Sequence, residues 1–169
     1  MTVNCQNVLV GIGEFILDGN DLGATSGGVN VEKTVDIFEK EVDQLLDACG
    51  LVPTKWTVTV TTNLAEATLA NLKIAWNEPG AISFPTANTR RLPVGYTQQL
   101  PEHTLEFRGV SPEGYDRAAH FRRAIQSAAS AWMVGKGEMT MFPVSFRCLP
   151  DEAFALEEIY GEIIDYTAP

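Results

Sequence analysis

The sequence is poor in several features that mark particular classes of protein. Its three cysteines are odd in number, widely spaced and without a CxxC pair, which predicts reduced thiols and neither a disulfide framework nor a zinc site. No apolar run approaches the roughly 20 residues that a membrane-spanning helix needs. The first ten residues also lack a basic stretch and a signal-peptide cleavage site. These absences predict a cytoplasmic protein that does not enter a membrane.

Basic residues are also scarce, and the formal net charge is −10. A conventional nucleic-acid binder is therefore disfavoured, because binding to phosphate depends on cationic side chains that release counterions. Residues 1–80 carry eleven acids against four bases, residues 81–140 five against seven, and residues 141–169 six against one. This pattern indicates either a solvated surface of varying sign or oppositely charged surfaces that meet between identical subunits.

Motifs for cofactors and metals are incomplete. The glycine pair at 11–13 has no third glycine and no following βαβ unit, so it does not form a dinucleotide loop. Asp18, Asn20 and Gly23 match three positions of a calcium loop, but Val29 replaces the bidentate acid that would close it. A hairpin turn is the favoured interpretation, and no metal or cofactor is predicted.

Catalytic constellations are missing as well. His103 and His120 are seventeen residues apart, and neither has a second ligand at helical or hairpin spacing. They are expected at the surface or at an interface. The sequence contains no GxSxG, P-loop or HExxH motif. We therefore expect a protein that is not an enzyme.

Alternating apolar and polar residues predict several strands. Residues 56–61 alternate with threonines and form the clearest strand, and residues 105–108 and 142–148 show the same period of two. Pro143 suggests that the last of these is an edge strand or contains a bulge. Further strands are expected over much of residues 8–42, where turn signals are frequent.

One helix is expected at about residues 64–76. Asn63 could cap it and Glu66 could complete a capping box, with the apolar stripe formed by Ala65, Leu69, Leu72 and Trp76. Residues 81–101 are predicted to form a long loop that carries a short strand. Residues 117–132 have helical spacing but lie in a strand-rich pattern, and a strand is the preferred assignment.

Residues 38–55 allow two interpretations. Phe38, Val42, Leu45 and Cys49 fall at helical spacing, which would make a short amphipathic helix before Gly50. The alternative is a strand that runs to about Val42 and is followed by a long loop. We prefer the loop, because the acidic residues of this segment would repel one another and its leucines would gain burial only against a neighbouring subunit.

Several segments, taken in order along the chain, match a known pattern. Residues 21–29 (DLGATSGGV) resemble the Leu-Gly-x-Thr-x-Gly-Gly-Val hairpin that is common near the start of bacteriophage tail tube proteins. The threonine-rich strand 56–62 follows, and then residues 64–72 (LAEATLANL), which are similar to a recurrent helix start. Near the end, residues 142–151 and 160–163 resemble the closing strand, the Pro-Asp turn and the final strand. The combination and order of these pieces carry the resemblance.

The resemblance implies a mainly β chain, an antiparallel β-sandwich or barrel with one flanking helix, formed as a single domain over residues 1–169. It implies hexameric rings that stack into a tube through which DNA is ejected, a place in the virion tail and assembly in the host cytoplasm. The implied partners are other copies of the chain and tail proteins such as the tape measure, the tail terminator and baseplate or tip components. DNA would be transported non-specifically, past a wall whose carboxylates repel phosphate.

Two sets of residues are predicted to serve assembly. The loop at about 38–55 would face the lumen or the adjacent ring through Glu39, Glu41, Asp43, Gln44 and Asp47. The candidate bases at a subunit interface are Arg90, Arg91, Arg122 and Arg123. Other functions are a tube subunit of a contractile injection or type VI secretion-like system, and a β-sandwich carbohydrate-binding module. The latter would need exposed aromatic residues in a cluster, whereas the three tryptophans are scattered and are expected in the core.

Overall fold

The protein is described by a computed structural model over residues 13–41, 43, 47–96, 98–111, 115–128, 130–132, 136 and 139–166. Its elements are, in chain order, β1 (Glu14–Leu17), β2 (Asn20–Asp21), β3 (Thr25–Lys40), β4 (Gly50–Leu64), α1 (Leu69–Ala75), β5 (Ser83–Thr86), β6 (Thr89–Arg91), β7 (His103–Val110), β8 (Asp116–Gln126), β9 (Phe142–Cys148) and β10 (Gly161–Asp165). The prediction of a mainly β, antiparallel sandwich-like fold with one helix is confirmed. Within the described residues, no helix has the length and apolar character needed to cross a bilayer.

Strand β8 is where the main sheet divides into two layers. The strand order is β2-β1-β7-β8-β9-β4-β3, and β10 also pairs with β8. The first half of β8 pairs with β10, as in Phe121 opposite Gly161, whereas its last residues pair with β9, as in Gln126 opposite Phe146. One edge of β8 thus serves two strands in succession, and the apolar faces of the two layers meet in a common core.

A β-bulge lies at the division point. Leu105 of β7 pairs with Phe121, but His103 pairs with Ala124, so that Arg122 and Arg123 together lie opposite one residue. Phe121 and Ala124 are both buried, although an undisturbed strand would turn residues three apart to opposite faces. The extra residue bends β8 and directs both arginines away from the core.

The core is built by residues that alternate along the strands. The inward positions of β4 and β9 are Val58, Val60, Thr62 and Leu64, and Phe142, Val144, Phe146 and Cys148. Helix α1 adds Leu72 and Ala75 to the same cluster. Removing each large apolar side chain from water contributes roughly 1.5–3 kcal/mol. The strands predicted at 56–61, 105–108 and 142–148 are confirmed, and residues 117–126 form the preferred strand β8.

The expectation that Pro143 marks an edge strand is wrong for β9 as a whole. β9 lies between β4 and β8, but its ladder with β8 covers only Phe146 to Cys148. Pro143 lies beyond that ladder, where a missing N–H removes no bond. Just beyond the end of the β8–β9 ladder, the buried side chain of Gln126 takes over. Its oxygen accepts a hydrogen bond from the backbone N–H of Ser145 at 3.0 Å, and its nitrogen donates one to the Ala75 carbonyl at 3.0 Å. This side chain therefore ties β8, β9 and α1 together.

The helix is shorter than predicted and begins later. Asn63 does not cap it, because Asn63 belongs to β4 and its amide donates to the Ser26 carbonyl. The actual N-cap is Thr68, whose hydroxyl accepts from the Asn71 amide at 3.1 Å. Glu66 does not complete a capping box; its carboxylate accepts from the Ala24 amide at 3.1 Å. Asn63 and Glu66 therefore do not cap the helix; they bind the start of β3 and the residue before it.

The predicted loop at 38–55 is mostly a β-hairpin. β3 continues to Lys40 and β4 begins at Gly50, with Phe38 opposite Val52 and Glu39 opposite Leu51. The predicted continuation of the strand to about Val42 is nearly right, because β3 ends at Lys40, but the loop predicted to extend to residue 55 is wrong, because β4 begins at Gly50. A helix that begins at Phe38 is also wrong, because the ladder bonds satisfy the backbone groups that a helix would use. Only residues 41–49 remain as the connection, and Val42 and residues 44–46 lie outside the described residues. At residues 81–101 the predicted loop carries a small separate hairpin, β5–β6.

Candidate assembly surfaces

The distal part of the β3–β4 hairpin projects from the sandwich. We call residues 34–57 the arm; they begin at the pair Thr34 and Thr57 and end in the connection 41–49. Every described arm residue is exposed or half-buried. Seven residues of β3 at about 3.3 Å each extend the arm by about 20 Å. A bulge at Thr54, whose hydroxyl donates to the Asp36 carbonyl at 3.0 Å, bends it.

The arm presents apolar and acidic groups to solvent. Phe38 is 60% and Leu51 62% exposed, and Ile37 is exposed beside them. Neighbouring residues of a strand point to opposite faces, so Ile37 and Phe38 place apolar groups on both faces of the hairpin. Of the predicted loop residues, Glu39, Glu41, Asp43 and Asp47 are exposed, and Gln44 lies outside the described residues. Exposed apolar groups of this kind are typical of a surface that is covered by a partner.

A groove with a volume of about 680 Å³ lies at the foot of the arm. It is lined on one side by Val31 and Trp56 and on the other by Leu156, Tyr160 and Ile163. The Tyr160 hydroxyl donates to the Trp56 carbonyl at 3.2 Å and joins the two sides. Leu156 is 86% and Ile163 65% exposed. The prediction that the tryptophans lie in the core is therefore wrong for Trp56, which faces this groove, and also for Trp132, which is exposed.

Two of the four predicted interface bases are engaged within the chain. The Arg122 side chain is only 17% exposed; it lies 3.6 Å from Glu158, 3.4 Å from Glu162 and 3.7 Å from the ring of Phe154. Arg123 binds Glu102 through two nitrogens, 2.8 Å and 2.9 Å from its oxygens. The hydrogen bonds from Arg123 lower the pKa of the Glu102 carboxyl below its usual value. Arg122 thus links β8 to the region at the start of β10, and Arg123 links β8 to the residue before β7. An additional role between subunits stays a prediction.

Arg90 and Arg91 are placed differently, because both lie exposed on strand β6. The guanidinium of Arg90 lies 5.8 Å from the ring of Phe84 across the β5–β6 hairpin. The structure therefore separates the four predicted bases into two sets. Arg122 and Arg123 stand side by side at the bulge of β8, and Arg90 and Arg91 stand on the small hairpin.

A polar cluster that the sequence did not reveal joins the first turn to β7. His103 is predicted at the surface or at an interface; its side chain is only 13% exposed, and its Nδ1 lies 2.7 Å from the Asp18 carboxylate. Asp18 also accepts from the Thr104 amide at 2.8 Å. Burial acts to raise the pKa of Asp18, but the hydrogen bonds from His103 and Thr104 outweigh it and lower the pKa. The expected hairpin turn at Asp18 is confirmed, and these contacts fix it.

Thiol reactivity should differ sharply between two cysteines. Cys49 is exposed at the end of the arm, whereas Cys148 is buried and its burial raises the pKa of the thiol to about 12. Because the thiolate is the reactive form, we expect rapid modification of Cys49 and very slow modification of Cys148 at neutral pH. Stopped-flow labelling of folded Cys5→Ser protein, with and without Cys49→Ser, tests this. If the Cys148→Ser substitution, and not Cys49→Ser, removed the rapidly labelled thiol, the assignment of that thiol to Cys49 would be contradicted.

In the part of the chain that the structure describes, no group of three or more His, Cys, Asp or Glu side chains is arranged to hold a metal ion. Comparison with known proteins finds no family model that matches the chain and no curated protein with significant similarity to it.

Proposed function

We propose that the chain is a structural subunit of a bacteriophage tail tube, which forms hexameric rings that stack into a channel for DNA. The observation that carries the proposal is the arm, a projecting hairpin with exposed apolar groups on both faces. A lone subunit gains nothing from exposing Phe38 and Leu51 to water, whereas a neighbouring subunit would bury them. The sequence segments that resemble tail tube proteins add independent support.

Ring formation places a requirement on the subunit surface. A closed ring of identical chains needs one face of each subunit to contact a different face of the next. Strand β3 has β4 on one side only in the described sheet, so its outer edge is available for pairing with another chain. Such pairing would also protect a sixteen-residue edge strand from uncontrolled association. The arm would then contact the adjacent ring.

The net charge of −10 suits a channel that must release its cargo. Carboxylates repel DNA phosphates, and a wall without unpaired cations gives DNA no strong binding site. On this proposal DNA is only non-specific cargo. The partners are other copies of the chain and the remaining tail proteins, assembled in the host cytoplasm and carried in the virion tail. A tube of a contractile injection system would use the same surfaces.

The proposal predicts concentration-dependent assembly. Sedimentation velocity over a wide concentration range should show hexamers or larger species, and negative-stain microscopy should show rings or tubes with a central channel. A protein that stays monomeric at every concentration and salt level, also with other tail components present, contradicts the proposal. Retention on a polysaccharide column without self-association would favour the carbohydrate-binding alternative.

A further inference from the structure

The β5–β6 hairpin is a basic and aromatic projection on an acidic chain. All seven of its strand residues are exposed, and its turn is closed by the Thr86 and Thr89 hydroxyls at 2.6 Å. Phe84 is 69% exposed. Residues 79–101 contain Arg90 and Arg91 but no acidic residue. The hairpin thus carries an uncovered ring beside two positive charges.

The groove at the foot of the arm combines apolar walls with charged side chains. The walls are formed by Val31, Trp56, Leu156 and Ile163, and the lining also holds Lys33, Glu157 and Glu162, so that two acids stand against one base. The Lys33 ammonium lies 4.9 Å from the centre of the Trp56 ring. Arg122 lies 3.4 Å from Glu162 and so neutralises that side of the groove in part. Glu157 is exposed. The surrounding segment, residues 141–169, has six acids against one base, so a cation that approaches the groove meets a negative field.

We propose that the β5–β6 hairpin of one copy docks into this groove of a second copy, as one of the contacts that close the ring. Phe84 lies against Trp56 and Leu156, and Arg90 or Arg91 faces Glu157. The inference rests on the proposed function, because it assigns the ring contact of that assembly. A second copy is the occupant because one chain carries both complementary surfaces, and the hairpin and the groove lining share no residue. Such a heterologous contact repeats around a ring until it closes.

Charge reversal tests the electrostatic half of the contact. Glu157→Arg, and at least one of Arg90→Glu and Arg91→Glu, should raise the concentration for half-maximal assembly at least tenfold in sedimentation velocity. Combining Glu157→Arg with Arg90→Glu or with Arg91→Glu should bring at least one of the two pairs back to within about threefold of the wild type, since opposite charges face each other again. Lys73→Glu on α1 is the matched control and should assemble like the wild type.

Truncation of the ring tests the apolar half. Phe84→Ala should weaken assembly at least tenfold while leaving far-UV circular dichroism and thermal unfolding unchanged, since the side chain is uncovered in the single chain. Val94→Ala, another exposed apolar residue after the hairpin, is the control with no expected effect.

The outcomes separate the two proposals. If the wild type forms rings and the hairpin variants assemble at the same concentration, the docking inference is overturned and the tail-tube proposal stands. If Glu157→Arg blocks assembly but the Arg90, Arg91 and Phe84 variants do not, another segment occupies the groove, and the inference is again overturned. A wild type that never self-associates overturns both. Assembly lost in the single variants and regained in a charge-swapped pair supports the contact.

Discussion

Removing the arm is expected to abolish tube formation while leaving the sandwich folded. Residues 36–55 would be replaced by the dipeptide Asn-Gly, so that a two-residue turn connects Val35 to Trp56. These two residues are paired across the hairpin, and a two-residue Asn-Gly turn closes such a pair with the twist that neighbouring strands prefer. The deleted residues that the structure describes are exposed or half-buried, so the free energy of unfolding should change by no more than about 1 kcal/mol.

A second variant separates the length of the arm from its apolar surface. Phe38→Thr with Leu51→Thr keeps the hairpin and its strand propensity but removes two exposed apolar side chains. We expect this variant to form rings but few stacked tubes in electron micrographs, and the arm deletion to form no tubes. Normal tubes from the arm deletion would show that the hairpin is not the stacking element. Loss of cooperative urea unfolding would show that the arm belongs to the folding unit.

The central strands could be predicted because their sequence pattern reports burial directly. In β9 and in residues 58–64 of β4 every second residue enters the core, so polar residues alternate with buried ones in the sequence itself. The arm could not be assigned in this way. Phe38 and Cys49 fit a helical period, but the pairing of Phe38 with Val52 is a tertiary fact that local spacing does not encode.

The candidate surfaces were predictable only in part, for a related reason. The exposed acids of the arm and the exposed bases of β6 follow from charge patterning. The groove does not, because Trp56 and Ile163 belong to strands that come together only through the fold. The partners of Arg122 and Arg123 are also distant in sequence: Arg123 binds Glu102, and Arg122 binds the segment before β10. Sequence patterning could identify these bases, but not that the same chain already engages them.

Gly161, at the start of β10, is expected to be among the least replaceable residues of the fold. Its φ is +152°, and a Cβ atom built there would lie 1.9 Å from the His120 carbonyl oxygen of β8. That oxygen belongs to a paired strand, so neither partner can move without opening the β8–β10 ladder. Gly161→Ala should therefore lower the free energy of unfolding by about 3 kcal/mol or more, from the clash together with the backbone strain.

Gly19→Ala provides the matched control, because Gly19 also has positive φ, at +77°, but a Cβ there meets no atom within 4 Å. Its cost should be about 1–2 kcal/mol, which is the strain of a left-handed residue alone. Urea unfolding of both variants gives the comparison, and the difference between them measures the contact with β8. Because β10 also forms one wall of the groove, folded Gly161→Ala protein should assemble more weakly than Gly19→Ala protein. Equal losses of stability in the two variants would mean that β10 does not press on β8 at this point.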